Sequence, residues 1–167
     1  INAITAIKTA KLMGISESDI VNRGKYFHAP DHRLEFVKEW ESRQFYNDSK
    51  STNPDATCKA VDAFKQPIHL ILCGQNKGLD MAELVQYVTP KVQSITAFGD
   101  IADTIESLVD KTKRFIKTNS IDEAISETVE QSSDNSIILF SPGNASFDQF
   151  KNYKDRGDRF KTIIQTH

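Results

Sequence analysis

The chain has 167 residues, a formal net charge of -2, 38% hydrophobic and 26% charged side chains. Such a length holds one domain of ordinary size, or one plus a piece of another, and such a composition specifies a packed core rather than disorder. Interspersed acids and bases exclude a dedicated nucleic-acid or membrane-surface protein, and there is neither an apolar run for a transmembrane helix nor a signal-peptide pattern.

The sequence begins at Ile1 without an initiator methionine and is helical in pattern from the start, so the expectation is a piece of something longer. Over residues 2–13, Ala3, Ile4, Ala6, Ile7, Ala10 and Met13 recur at helical spacing, and Gly14 stands at the C-cap position. Ser16 with Asp19 three residues on predicts a capping box that opens a second helix running to about Phe27. Pro30 then marks a boundary. Two short helices cannot bury a core alone, so residues 1–30 read as the tail of a preceding domain.

From Leu34 the period changes to two. Leu34, Phe36 and Trp40 alternate with Glu35 and Glu39, and Phe45-Tyr46 follow a polar turn, which predicts a β-hairpin. Helices are then expected over 54–64, 79–88, 101–109, 121–131 and 147–164. Strands are expected at Ile68 to Leu72, Val92 to Phe98, near Phe115-Ile116, and at Ile137 to Phe140. Two of these strands are apolar on both faces, which requires cover on each side. The fold class is therefore α/β, a doubly wound, mostly parallel sheet with an N-terminal hairpin element and a preceding helical pair.

In such sheets ligands bind beyond the carboxyl ends of the strands. Four polar or glycine-containing loops fall there, at 47–53, 73–78, 98–100 and 141–146. The first, Asn47-Asp48-Ser49-Lys50-Ser51-Thr52-Asn53, contains no apolar residue. Lys50 and Lys77 would share a crevice suited to an anion, although a single lysine is ordinarily a solvated surface residue. Gly74 and Gly78 permit a close backbone approach or a simple tight turn. Ser146 with Gln149 predicts a cap on the last helix, whose N-terminus also suits a carboxylate or phosphate. Phe150 and Phe160 read as core, whereas Tyr153 can flank a ligand.

Other chemistries lack their signatures. There is no nucleophile elbow, no Walker-type loop and no dinucleotide fingerprint. His28, His32 and His69 have no metal-ligand partner at suitable spacing and read as core or surface residues. Cys58 and Cys73 sit in unrelated contexts and read as free thiols of a reduced compartment. From the residues alone the reading is a small-anion-binding α/β domain without its own chemistry.

His32-Arg33-Leu34-Glu35, the 47–53 run, Gly74-x-x-Lys77-Gly78, and Ser141-Pro142-x-x-Ala145-Ser146-Phe147-Asp148-Gln149-Phe150 with Arg156-Gly157 and Phe160 occur in that order. The series resembles the C-terminal part of the Mur ligases of peptidoglycan synthesis, in their D-glutamate-adding branch. It spans nearly the whole chain. The resemblance implies that residues 1–30 are the helical end of the family's central ATPase domain and 31–167 its Rossmann-like, D-glutamate-binding C-terminal domain.

It further implies an ATP-dependent amide ligation in the bacterial cytoplasm. ATP phosphorylates the carboxylate of UDP-MurNAc-L-alanine, the amine of D-glutamate attacks the acyl phosphate, and phosphate leaves a tetrahedral intermediate. Domain closure would exclude water and position the reactants. By motif position, Lys50, Thr52, Lys77, Ser146, Phe147 and Tyr153 correspond to D-glutamate-binding residues, and Arg33 and Asp48 to residues contacting ATP. ATP and Mg2+ are the implied cofactors, held mostly by the central domain. The implied protein is a monomer that binds neither nucleic acid nor membrane.

Gln75-Asn76 and Gly143-Asn144 depart from the residues usual at those places, without touching an assigned polar contact. The phosphate-binding loop, metal ligands and UDP-binding domain lie outside this sequence. The expectation is accordingly no catalytic residue in the chain and no activity of the chain alone. Two alternatives stay open. A sister ligase adding diaminopimelate would show an Asp-Asn-Pro-Arg motif, which is missing, and a receiver-like or flavodoxin-like binding module would want an acidic cluster at the strand ends.

Overall fold

A computed structural model describes residues 2–26, 29–75 and 77–166, so expectations falling on Phe27, His28 and Asn76 lie outside the described residues. It divides into two compact units, Ile1–Pro30 and Asp31–His167.

In the first unit, α1 (Asn2–Leu12) ends in a Schellman motif. Gly14 has φ +80°, its amide donates to the Lys11 carbonyl, and the Ile15 amide donates to the Ala10 carbonyl. Ser16 caps α2 (Glu17–Gly24) by accepting from the Asp19 amide at 3.1 Å. This helix is shorter than its sequence pattern suggests, because the Tyr26 amide has already tightened onto the Arg23 carbonyl. No α2 residue is buried, and Leu12, Met13 and Tyr26 are largely exposed.

The second unit is a six-stranded sheet in the order β1-β2-β6-β3-β4-β5. Its strands are β1 (Glu35–Trp40), β2 (Arg43–Asn47), β3 (Ile68–Cys73), β4 (Ser94–Phe98), β5 (Arg114–Lys117) and β6 (Ile137–Gly143). Only the β1–β2 pair is antiparallel. Glu41 and Ser42, both at positive φ, close that hairpin. A bulge between Phe36 and Lys38 interrupts the expected alternation. Val37 and Trp40 therefore join one core, while Phe36 turns to the other face and meets the Tyr46 ring at 5.6 Å.

The helices are α3 (Pro54–Val61), α4 (Met81–Val88), α5 (Ala102–Leu108), α6 (Ile121–Gln131) and α7 (Tyr153–Thr166). Strand alternation distributes apolar residues to both faces. Leu70, Leu72, Ile137 and Leu139 pack under α3, α4 and α5, and Ile71, Cys73, Ile138 and Phe140 pack under α6 and α7. Three elements begin two or more residues later than their patterns predict, among them α4, which starts at Met81 after its Asp80 cap. β4 begins at Ser94 because the Val92 amide still bonds to the Val88 carbonyl. The last helix begins at Tyr153, so Ser146 does not cap it. The Ser146 carbonyl instead accepts from the Gln149 and Phe150 amides in a separate turn.

Candidate functional site

All five parallel strands end on one rim. Because α3, α4 and α5 cover one face and α6 and α7 the other, the chain leaves β6 in the opposite sense from its neighbours β2 and β3. Such a switch point opens a crevice. The 47–53 loop follows β2, the 74–80 loop follows β3, and the 144–152 segment follows β6, so the polar loops singled out in the sequence do gather there.

The 47–53 loop is built from within. Asn47 accepts from the Ser49 amide through Oδ1 at 3.1 Å, which turns its Nδ2 toward His32 Nδ1 at 3.0 Å and the Gly157 carbonyl at 3.3 Å. His32 in turn accepts the Lys50 amide at its carbonyl, 2.9 Å away. Asp48 is 2% exposed. Its carboxylate accepts from the Leu34 amide at 3.1 Å, from Ser141 Oγ at 2.7 Å and from Ser51 Oγ. Burial raises its pKa, opposed by those hydrogen bonds and by the charge of Arg33. Asn53 closes the loop by capping α3, accepting from the Ala56 amide at 2.9 Å.

A cleft of about 270 Å³ lies against this loop, with Arg33, Lys50 and Lys59 around it and Asp48 in its wall. Arg33 and Asp48 are thus brought together with Lys50. Lys59 is paired with Asp55, so Arg33 and Lys50 are the cations that stand beside a carboxylate already committed to neutral donors, and the cleft favours an anion. Thr52 is half-buried at the end of the same loop.

Lys50 and Lys77 come from loops after different strands, yet both lean on one short segment. Lys50 Nζ lies 5.5 Å from the Tyr153 ring centroid, and Lys77 Nζ lies 4.9 Å from that of Phe147. Phe147 is 61% exposed, unusual for a phenyl ring and suited to a surface that something covers. Ser146 is buried beside it. Glycines bring this segment close: a Cβ on Gly74 would stand 2.3 Å from the Ala145 carbonyl oxygen, and one on Gly99 2.2 Å from Asp148 Oδ2.

Arg156 is the residue whose role the sequence reading missed. Fully buried, its guanidinium donates to the Ser49 carbonyl at 2.8 Å, to Ser49 Oγ at 3.0 Å and to the Asn144 carbonyl at 3.0 Å. It ties the β2 and β6 loops together beneath the rim. Its signal in the sequence is a cation at position 156 in the apolar series 156, 160, 164 of α7. His32, read as core or surface, is likewise a keystone, packed edge-on to Tyr153 at 6.0 Å and against Gly157. Among the described residues no group of three or more His, Cys, Asp or Glu side chains could hold a metal ion, and no helix is long and apolar enough to cross a membrane.

Residues 32–144, the stretch that builds this sheet and most of its rim, match the family model of the Mur ligase, glutamate ligase domain. The chain belongs to the Mur ligase family. A UDP-N-acetylmuramoylalanine–D-glutamate ligase of Acidobacterium capsulatum is 37% identical over 166 residues, covering 99% of this chain and 36% of that protein. The chain spans little more than a third of the length of the curated relatives it matches. Solved Mur ligase structures share the fold. The UDP-N-acetylmuramate-alanine ligase of Thermotoga maritima superposes with a TM-score of 0.70 at 16% identity, covering 99% of this chain and 37% of that one. Folylpolyglutamate synthase of Mycobacterium tuberculosis, solved with ADP and AMPPCP, gives 0.65 at 12% identity, over 92% of this chain and 37% of that one.

Proposed function

We propose that this chain is the C-terminal part of an ATP-dependent ligase that joins D-glutamate to UDP-MurNAc-L-alanine in the bacterial cytoplasm. The observation that carries the reading is the pair of lysines from separate loops, each set against an aromatic ring of residues 147–153. A dicarboxylate amino acid needs two separated cationic groups, and Lys50 and Lys77 supply them. Thr52 and Ser146 add hydroxyl donors, and Phe147 and Tyr153 wall the aliphatic part. The relatives are named as D-glutamate ligases, which supports D-glutamate among such amino acids.

Arg33, with the basic cleft beside Asp48, serves the phosphates of ATP. Asp48 acts there by holding Leu34, Ser51 and Ser141 in place, since its own oxygens are already occupied. Magnesium belongs with the ATP phosphates, and its ligands are assigned to the remainder of the ligase, as the family resemblance implies. This rim holds the amine donor against a carboxylate activated as its acyl phosphate elsewhere on a monomeric enzyme. Residues 1–30 are assigned to the end of the ATPase domain.

The test is amide formation measured with UDP-MurNAc-L-alanine, ATP and a panel of amino acids. The longer polypeptide encoded by the gene is expected to add D-glutamate and to release ADP and phosphate, while the 167-residue chain does neither. Turnover by the chain alone, or addition of diaminopimelate or lysine in place of D-glutamate, would sink the proposal.

A further inference from the structure

A separate cavity of about 290 Å³ opens at the other end of the sheet, lined by His69, Gln93, Arg114, Gln131 and Ser133. Three adjacent strands meet there at their starts, with His69 of β3 paired to Ser94 of β4, and Ser94 paired to Arg114 of β5. Every lining side chain can donate a hydrogen bond, and none is an acid. His69 is 4% exposed and forms the floor, while Gln93, Arg114 and Ser133 are exposed at the mouth.

Two observations mark the cavity as more than a surface dent. First, His69 Nδ1 is 2.7 Å from Ser94 Oγ, but its Nε2 is buried with no hydrogen-bond partner. An imidazole nitrogen left so is costly unless something reaches it. When the Ser94 hydroxyl donates to Nδ1, Nε2 carries the proton and becomes a donor without an acceptor. Second, the positive charge is uncompensated. Arg43 is paired with Glu41 and Asp134, whereas Arg114 makes no ion pair among the described residues and only a 3.4 Å bond to the Gln131 carbonyl. Burial first, then Arg114 and Arg43, push the His69 pKa down, as expected where positive charge converges on the ring.

We propose that this cavity is a second anion site, binding a small phosphate-class oxyanion between the Arg114 guanidinium and His69 Nε2–H, with Gln93, Gln131 and Ser133 as further donors. It is distinct from the candidate rim. His69 and Gly74 are five residues apart along β3, roughly 16 Å at about 3.3 Å per residue. The proposal does not depend on the ligase reading.

The experiment is a titration of the 167-residue chain with inorganic phosphate and with glycerol phosphate, followed by the histidine ring resonances in NMR. Sodium chloride at matched ionic strength is the control. The His69 resonance is identified by its loss in His69→Gln. A saturable shift of that resonance in the millimolar range is expected, with affinity about tenfold weaker in Arg114→Ala, as suits loss of a charge-assisted hydrogen bond. Arg114 is exposed, so this variant is expected to fold. Saturation by phosphate alone identifies a free anion as the ligand, and saturation by both identifies the phosphate group of a larger molecule. A shift that never saturates, that chloride reproduces, or that Arg114→Ala leaves unchanged would overturn the site.

Discussion

Arg156 and Ser49, 107 positions apart, are joined twice, by Nη2 to the Ser49 carbonyl at 2.8 Å and by Nε to its hydroxyl at 3.0 Å. Among the described residues no carboxylate is ion-paired with this buried arginine. Its charge is held by oxygen dipoles of the very loops that carry Lys50 and Ser146. The guanidinium fork therefore sets the spacing of the candidate rim.

Arg156→Ala leaves the Ser49 and Asn144 carbonyls unpaired in a space that cannot fully collapse, while the Ser49 hydroxyl keeps its bond to the Tyr153 carbonyl. A loss of about 3–5 kcal/mol in urea denaturation is expected. Arg156→Lys keeps the charge but not the planar fork, and should recover less than half of that loss. Equal stability of Arg156→Ala and the parent chain would refute the role.

Gly157 and His32 are packed so closely that a Cβ on Gly157 would stand 2.3 Å from His32 Nδ1. Gly157→Ala must displace the imidazole from Asn47 and so disturb the loop behind Lys50. A cost of about 1–3 kcal/mol is expected for such overpacking. Gly24→Ala, where a Cβ meets nothing within 4 Å, is the control and should be neutral or slightly stabilising.

Burial, with the charge of Lys161, lowers the pKa of His32 from its ordinary 6.5, and His69 is lowered by its own burial. The unfolded chain then binds protons before the folded one as pH falls. Stability contributed by the neutral imidazoles is complete above about pH 6.5 and is lost as pH drops through the depressed folded values. Urea midpoints measured from pH 7.5 to 4.5 should show this decline, and His32→Asn should flatten it. An unchanged slope would show that His32 is not held neutral.

Burial pushes the Cys73 thiol up to about 12, and Cys58 is raised by burial and by Asp55, Asp62 and Glu83. Neither should react appreciably with a thiolate-directed reagent at pH 7 in the folded state. Cys58, half-exposed, should become reactive as pH rises, and Cys73 only on unfolding. Fast labelling of Cys73 in the native protein would contradict its placement under the rim.

On the proposed function, Lys50→Ala or Lys77→Ala in the longer protein is expected to raise the KM for D-glutamate about tenfold or more while leaving that for the UDP substrate within about twofold, as loss of one charge-assisted contact implies. Equal effects on both substrates would remove these lysines from the amino-acid site.

Much of this was legible in the sequence because it is local or periodic. The Schellman end at Gly14, the Ser16 cap, and the apolar strands at 68–72 and 137–140 depend on neighbours within a few residues, and each forms as its pattern directs. The polar loops were readable for a related reason, since strand–helix alternation places every such loop on one rim. The Ser146–Gln149 pair shows the limit. Its spacing matches a cap, but packing against Gly74 and Gly99 keeps the segment in a turn and delays α7 to Tyr153.

The sequence by itself determined the α/β class, the helix boundary at Gly14 and Ser16, and the family, because propensity, capping and motif order are properties of short runs. Only the tertiary structure decided that Lys50 and Lys77 lean on one aromatic segment, that Asp48 is sealed by three donors, and that Arg156 spans two loops. These are contacts between residues up to 107 positions apart. They exist because parallel pairing of β2, β6 and β3 sets the loop spacing, and a buried charge must find its partners wherever the fold brings them.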